Sequence, residues 1–280
     1  MTFRRSALLR MLPPALVDFV QRKRTPDRIY ESYEAALADA DSYEDPLLTE
    51  LVAAKGKQFA ETLQTTNELD YSHLRILLAV VGSPSSTPLR VLDFGGGSGT
   101  HYWVAKQILG NHVELDWRVV ETPAMVEAVT RYELANEELT FYSDLQEAVS
   151  DATFDAVYAS SSIHYTPDPY ATLEILCNIP SKRLVITRTP MADEDLILLQ
   201  TSRMRDNGPG PVPESLEKSV AHQTVTYPVS ILNREKTIRT VSRYGHIVYE
   251  VKENQVALGG PGKESQMFGM VIKLFPASEA

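Results

Sequence analysis

Apolar and polar positions fall into two textures along the chain. Up to about residue 80, apolar residues recur at steps of three and four, the spacing of helices with one buried face. This predicts helices over Leu47–Leu63 and Tyr71–Val81, and a helical stretch within residues 31–50 that breaks near Asp45-Pro46. Residues 82–88, GSPSSTP, read as a loop. Beyond Pro88 short apolar runs alternate with helical stretches, the signature of a parallel sheet built from βαβ units. The runs are Leu89–Phe94, Trp117–Glu121, Leu139–Tyr142, Phe154–Ala159 and Arg183–Thr187. Helices are expected over Thr100–Leu109, Pro123–Ala135, Leu145–Val149 and Pro169–Cys177. From Thr189 to His222 the alternation lapses. Met191–Met204 predicts a helix, and residues 207–213, NGPGPVP, a rigid loop. Asn233 then predicts the cap of a helix running to about Tyr244 and ended by Gly245. His246–Val251 and Met267–Phe275 read as two closing antiparallel strands. The expectation is an α/β chain with a leader and helical cap over 1–82 and a sheet domain over 83–280. Within that domain, 189–232 reads as a substrate-side insertion.

One junction between run and helix carries chemistry. VLDFGGGSGT, residues 91–100, sets Gly95, Gly96, Gly97 and Gly99 between a strand and a helix. Glycines there permit positive φ and close approach of a ligand to backbone. The helix that follows offers unpaired N–H groups. The nicotinamide fingerprint G-x-G-x-x-G fails, because its sixth position is Thr100 counted from Gly95 and Tyr102 counted from Gly97. A Walker A loop fails because no lysine follows the glycines. What remains is Asp-x-Gly-x-Gly-x-Gly, with Asp93, Gly95, Gly97 and Gly99. Glu121 ends the next run, 22 residues past Gly99. A carboxylate at about that spacing accepts hydrogen bonds from both ribose hydroxyls of a nucleoside. A Glu that starts a helix is the plainer alternative.

This pattern resembles motif I of the class I S-adenosylmethionine (SAM) methyltransferases. The resemblance implies a Rossmann-like seven-stranded sheet over residues 89–275, in the order 3-2-1-4-5-7-6 with the last strand antiparallel. It implies SAM as cofactor, in a site that takes in Asp93, Gly95, Gly96, Gly97, Gly99, Glu121 and Ser160. It also implies that Asp144, ending the third run, meets the adenine amino group; Asp144 equally suits a helix cap. IYESYEAALADADSYEDPLL, FGGGSG, RVVETPAMVEA and YASSSIHYTPDP together resemble a bacterial family of SAM-dependent methyltransferases. Members of that family often lie in surface-polysaccharide or other biosynthetic gene clusters. This implies a cytoplasmic enzyme with a small-molecule or glycan acceptor, methylated at oxygen. The resemblance leads one to expect a Leu-Gln pair where this chain has Ile163-His164. The alternative function is a non-catalytic SAM-fold scaffold.

Methyl transfer is an in-line displacement at a sulfonium, and the protein contributes mainly by holding the acceptor about 3 Å from the methyl group. A hydroxyl acceptor also needs a proton sink. Residues 160–168, SSSIHYTPD, follow the fourth strand and so lie at the sheet's carboxyl edge. His164 is the candidate base, since a histidine titrates near neutrality; a histidine that shapes the pocket is the alternative. Tyr165 is a candidate to pack on cofactor or substrate, and Asp168 reads as a helix cap. Tyr102 or Trp103 can face the sulfonium by cation–π attraction, or pack in the core. Arg203 and Arg205 can meet an anionic acceptor, or be solvated. No grouping of His and carboxylate has metal-ligand spacing, so no metal is expected.

Charge sharpens the choice of partners. The 280 residues carry a formal net charge of −10, a poor basis for generic nucleic-acid binding. The single cysteine, Cys177, excludes an intrachain disulfide. The charge is uneven: residues 1–28 carry +5, leaving −15 on the remainder. Arg10, Pro13, Pro14 and Asp18 interrupt the apolar stretch that a signal peptide needs. Ala15–Arg24 instead reads as a short basic amphipathic helix. Such a helix either docks on the protein's own body or lies on an anionic membrane surface.

Overall fold

The structure is a computed structural model that describes residues 28–276, except 67–68, 70, 81–86, 151 and 257–264. The leader helix expected over Ala15–Arg24, and its membrane contact, lie outside the described residues. The cap begins with helices α1 (Tyr33–Ala38) and α2 (Pro46–Thr65). Asp45 caps α2, its side chain accepting from the N–H groups of Leu47 and Leu48, while Pro46 takes the first helical position. The third cap helix is mixed: a 3-10 segment, Tyr71–Ile76, leads into α3 (Leu77–Val80).

After the cap the chain alternates. Strand β1 (Leu89–Phe94) leads to α4 (Thr100–Leu109), and β2 (Leu115–Val120) to α5 (Pro123–Arg131). Then β3 (Leu139–Tyr142) leads to α6 (Leu145–Val149), and β4 (Ala156–Ser160) to α7 (Pro169–Cys177). The long β5 (Arg183–Ala192) follows, then the hairpin β6 (Leu196–Arg203) and β7 (Thr224–Asn233), with α8 (Glu214–Val220) in its connection. Helix α9 (Arg234–Val241), capped by the Asn233 side chain, leads to β8 (Gly245–Val256) and β9 (Gln266–Leu274). Gly245 therefore opens a strand rather than closing a helix. A Cβ there would lie 2.3 Å from the Lys273 carbonyl oxygen, so only glycine lets the two strands approach.

Among the described residues nine strands form one sheet. Strands β3-β2-β1-β4-β5 are all parallel. Strand β5 then carries two neighbours. Antiparallel β9 runs along it from Arg183 to Met191, with β8 antiparallel on β9. Parallel β7 pairs with its last two residues, with β6 antiparallel on β7. The seven apolar runs of the sequence thus take the expected order, with the last strand reversed, and the β6–β7 hairpin is added. This hairpin overturns the helix expected over Met191–Met204. Leu196 and Leu198 face a small core with Val229 and Ile231, so burial there has the period of a strand.

Both faces of the parallel strands are covered, which explains their unbroken apolar runs. Leu92, Val157, Leu184 and Ile186 point to one core, toward Leu173 and Leu176 of α7. Val91, Tyr158 and Val185 point to the other, with Tyr102 and Val104 of α4. Among the described residues no helix is long and apolar enough to cross a membrane.

Candidate functional site

A cleft of about 560 Å³ opens at the carboxyl edge of the parallel strands. Small-molecule sites span roughly 300–1,000 Å³. Its floor is the turn after β1. Gly95, Gly97 and Gly99 have φ of 68°, 59° and 77°, in the left-handed region that glycine alone enters freely. A Cβ on Gly95 would come within 2.4 Å of Ser162 Cβ, and one on Gly96 within 2.5 Å of Asp93 Oδ2. Conformation disfavours side chains at Gly95, Gly97 and Gly99, and space excludes them at Gly95 and Gly96.

Asp93 lies beneath the turn and is fully buried. It accepts from Trp117 Nε1 at 3.2 Å and from His101 Nδ1 at 2.9 Å. A carboxylate only accepts, so His101 donates from Nδ1, and the pair fixes the orientation of the ring. Glu121 joins the turn to the end of β2. Its Oε1 accepts from Gly97 N–H and its Oε2 from Thr122 N–H, both at 2.9 Å. Burial raises the Glu121 pKa; the two N–H groups pull it back, and Asp93 pushes it up again. Each oxygen keeps one further acceptor position.

The other wall is aromatic. Tyr165 stacks on Tyr43 at 5.9 Å between ring centres, and both meet Tyr227 edge-on, at 5.3 and 5.1 Å. The Tyr165 hydroxyl donates to Gln200 Oε1 at 3.1 Å. Burial, then the neighbouring Tyr227 and Tyr43, raise its pKa well above the ordinary value, so it stays a donor. The three rings come from the cap, the segment after β4 and the inserted hairpin.

Gly95, Gly96, Gly97, Glu121, Ser160 and Tyr165 line the cleft together. The other sequence candidates do not. Gly99 starts α4 behind the turn. Asp144 is exposed and caps α6, accepting from Glu147 N–H at 2.9 Å. Asp168 caps α7. His164 is 1 % exposed, and its Nδ1 has no partner among the described residues. Burial, then the charge of Arg188, push its pKa down to about 3. Tyr102 turns away from the cleft to donate to Glu138 Oε2 at 2.9 Å. Arg203 and Arg205 pair with Asp206 and Glu217.

Two lining residues were not legible as such: His101, which reads as the first turn of a core helix, and Arg188, which lies just past the predicted run Arg183–Thr187. The alternation His101-Tyr102 is a partial signal for the first, since neighbours on a helix point about 100° apart. Among the described residues no group of three His, Cys, Asp or Glu is placed to hold a metal.

No family model matches the chain, and no curated protein matches it. Several solved structures are similar. A SAM-dependent methyltransferase from Clostridium acetobutylicum aligns with a TM-score of 0.45 and 11% identity, over 74% of this chain and 93% of that one. The CcbJ methyltransferase of Streptomyces caelestis gives 0.44 and 12%, over 80% and 98%. The glycopeptide N-methyltransferase MtfA, solved with sinefungin, gives 0.45 and 13%, over 71% and 96%. Likeness at this level carries no argument about substrate or residues.

Proposed function

We propose that the chain is a SAM-dependent methyltransferase that modifies a small molecule or glycan at oxygen. The observation that carries this reading is the left-handed glycine turn whose Gly97 N–H closes onto Glu121 across the floor of the cleft. Such a turn admits a nucleoside close to backbone, and the spare acceptor positions of Glu121 suit two ribose hydroxyls. When bound, SAM supplies a methyl group on a good leaving group. The chain's own task is then to orient and to exclude water. Gly95, Gly96, Gly97 and Ser160 serve the cofactor, with Asp93 holding the turn from below. Tyr165 forms the acceptor wall. His164, buried off that wall, shapes the 163–165 turn rather than taking a proton. His101, held by Asp93, lines the cleft where His164 does not. The reading places the protein in the cytoplasm, with residues 1–24 on the inner membrane face.

Calorimetry with S-adenosylhomocysteine tests the reading. Binding is expected, and Glu121→Ala weakens it by about 1.5–3 kcal/mol, the worth of a hydrogen bond to a charged group. No binding at high-micromolar ligand overturns it. Binding without turnover on any sugar or small-molecule acceptor would favour a scaffold instead.

A further inference from the structure

Strand β5 breaks its ladder to aim one side chain at the cleft. Its pairing with β9 is regular up to Ile186, shifts register, and resumes at Thr189. Thr187 and Arg188 form the irregularity, and Arg188 has φ of 51°, a left-handed conformation costly for a residue with a side chain. Bulges of this kind re-aim side chains beside active sites. Two clamps hold this one. The Arg188 N–H donates to Glu253 Oε1 at 2.7 Å, and its Nε donates to Ser160 Oγ at 3.0 Å.

The guanidinium thus enters the cleft with Nη1 and Nη2 bonded to no described residue. The carboxylates that line the cleft or clamp the bulge already have partners other than the guanidinium. Glu121 holds Gly97 and Thr122, Asp206 holds Arg203, and Glu253 takes Arg75 Nε at 2.7 Å. A half-buried cation in a strained backbone, with its planar fork open, matches anionic oxygens in a bidentate geometry. Arg188 also shares the cleft with Tyr43 and Tyr165, whose stacked rings offer a flat apolar face. Arg203 and Arg205, the sequence candidates for this task, are spent in surface ion pairs.

We propose that Arg188 receives a carboxylate or phosphate group of the methyl acceptor, whose ring lies against Tyr43 and Tyr165. The acceptor is then an acid. The assignment to an acceptor rests on the methyltransferase reading; the anion site itself does not.

The test compares wild type, Arg188→Met and Arg188→Lys by 15N NMR of the arginine Nε–H groups and by calorimetry. Each protein, saturated with S-adenosylhomocysteine, is titrated with benzoate, inorganic phosphate and, as the neutral control, benzyl alcohol. Wild type is expected to bind an anion at millimolar concentration with a shift of the Arg188 signal. Arg188→Met loses about tenfold or more, as expected for a charged hydrogen bond, and Arg188→Lys falls between. S-adenosylhomocysteine and 5′-methylthioadenosine should bind all three proteins alike. Equal anion binding by wild type and Arg188→Met, or none by wild type, overturns the proposal. So does Arg188→Met weakening S-adenosylhomocysteine while sparing methylthioadenosine, which lacks the amino-acid carboxylate. If neither nucleoside binds, the methyltransferase reading fails, and titrating the free protein with the same anions still decides whether Arg188 is an anion receptor.

Discussion

Burial and the nearby Arg188 charge push the His164 pKa from its ordinary 6.5 down to about 3, and this is a statement about stability. In the folded chain His164 stays neutral over the window in which the unfolded chain takes up a proton. The depressed value therefore contributes stability that is present above about pH 6.5 and lost as pH falls toward 3. His164→Met, which removes a ring nitrogen without a partner among the described residues, should flatten that acid-side loss. In urea unfolding between pH 6.5 and 4 the wild type should lose up to about 1.4 kcal/mol per pH unit more than the variant. Equal slopes would show that His164 already titrates normally. The site was partly legible at this scale because its floor is local. The glycine turn lies within ten residues of sequence, and Glu121 follows at a fixed step set by one helix and one strand. Arg188 was illegible because it falls just past the predicted run Arg183–Thr187, where nothing in the sequence marks a bulge. The bulge that turns its side chain depends on β9, some eighty residues later.

Helix α2 shows how an element becomes part of the site. Gly56 sits mid-helix, where glycine costs about 1 kcal/mol relative to alanine. A Cβ there would stand 2.2 Å from Ser98 Oγ and 2.4 Å from Ser98 Cβ, so the helix is docked directly on the glycine turn. Gly56→Ala should therefore destabilise the fold by about 1–3 kcal/mol despite its better helix propensity, and weaken nucleoside binding. Adding Ser98→Gly removes both clashing atoms and should restore stability, read by thermal unfolding; failure to restore it would place the strain elsewhere. A glycine inside a helical pattern was a visible hint of close packing. Other element boundaries were legible for plain reasons. Asp45-Pro46, Thr122-Pro123 and Asp168-Pro169 each put a capping side chain before a helix-starting proline. The inserted hairpin was not. Pro228 interrupts the β7 run, which argues against a central strand. In fact β5 pairs only with Leu232 and Asn233, so β7 has an open side at Pro228.

The whole molecule closes its cleft from three parts of the chain. Tyr43 and Val52 come from the cap, Gly95 and Glu121 from the sheet, and Gln200 and Tyr227 from the insertion. Lys55 ties the cap to the insertion. Its buried ammonium donates to the carbonyl oxygens of Arg205 at 3.1 Å and Asn207 at 2.6 Å. Order along the sequence revealed the presence of these parts, but not that they converge, since convergence rests on pairings such as Asp41 with Thr226. Charge is the other property of this scale. The leader's +5 against −15 on the remainder predicts two surfaces with different partners. Full-length protein should sediment with anionic vesicles at low salt, and a variant lacking residues 2–28 should stay in solution while binding S-adenosylhomocysteine normally. Sedimentation that is unchanged by the deletion would assign the contact to another surface.

Trp117 donates its indole N–H to the same carboxylate that supports the glycine turn. The chain has only two tryptophans, so this one is an optical gauge built under the floor of the cleft. Ligand entry that settles the turn should change the emission of the indole. The change should persist in Trp103→Phe and vanish in Trp117→Phe. A stopped-flow trace of that signal would time the arrival of a ligand before any acceptor has been identified.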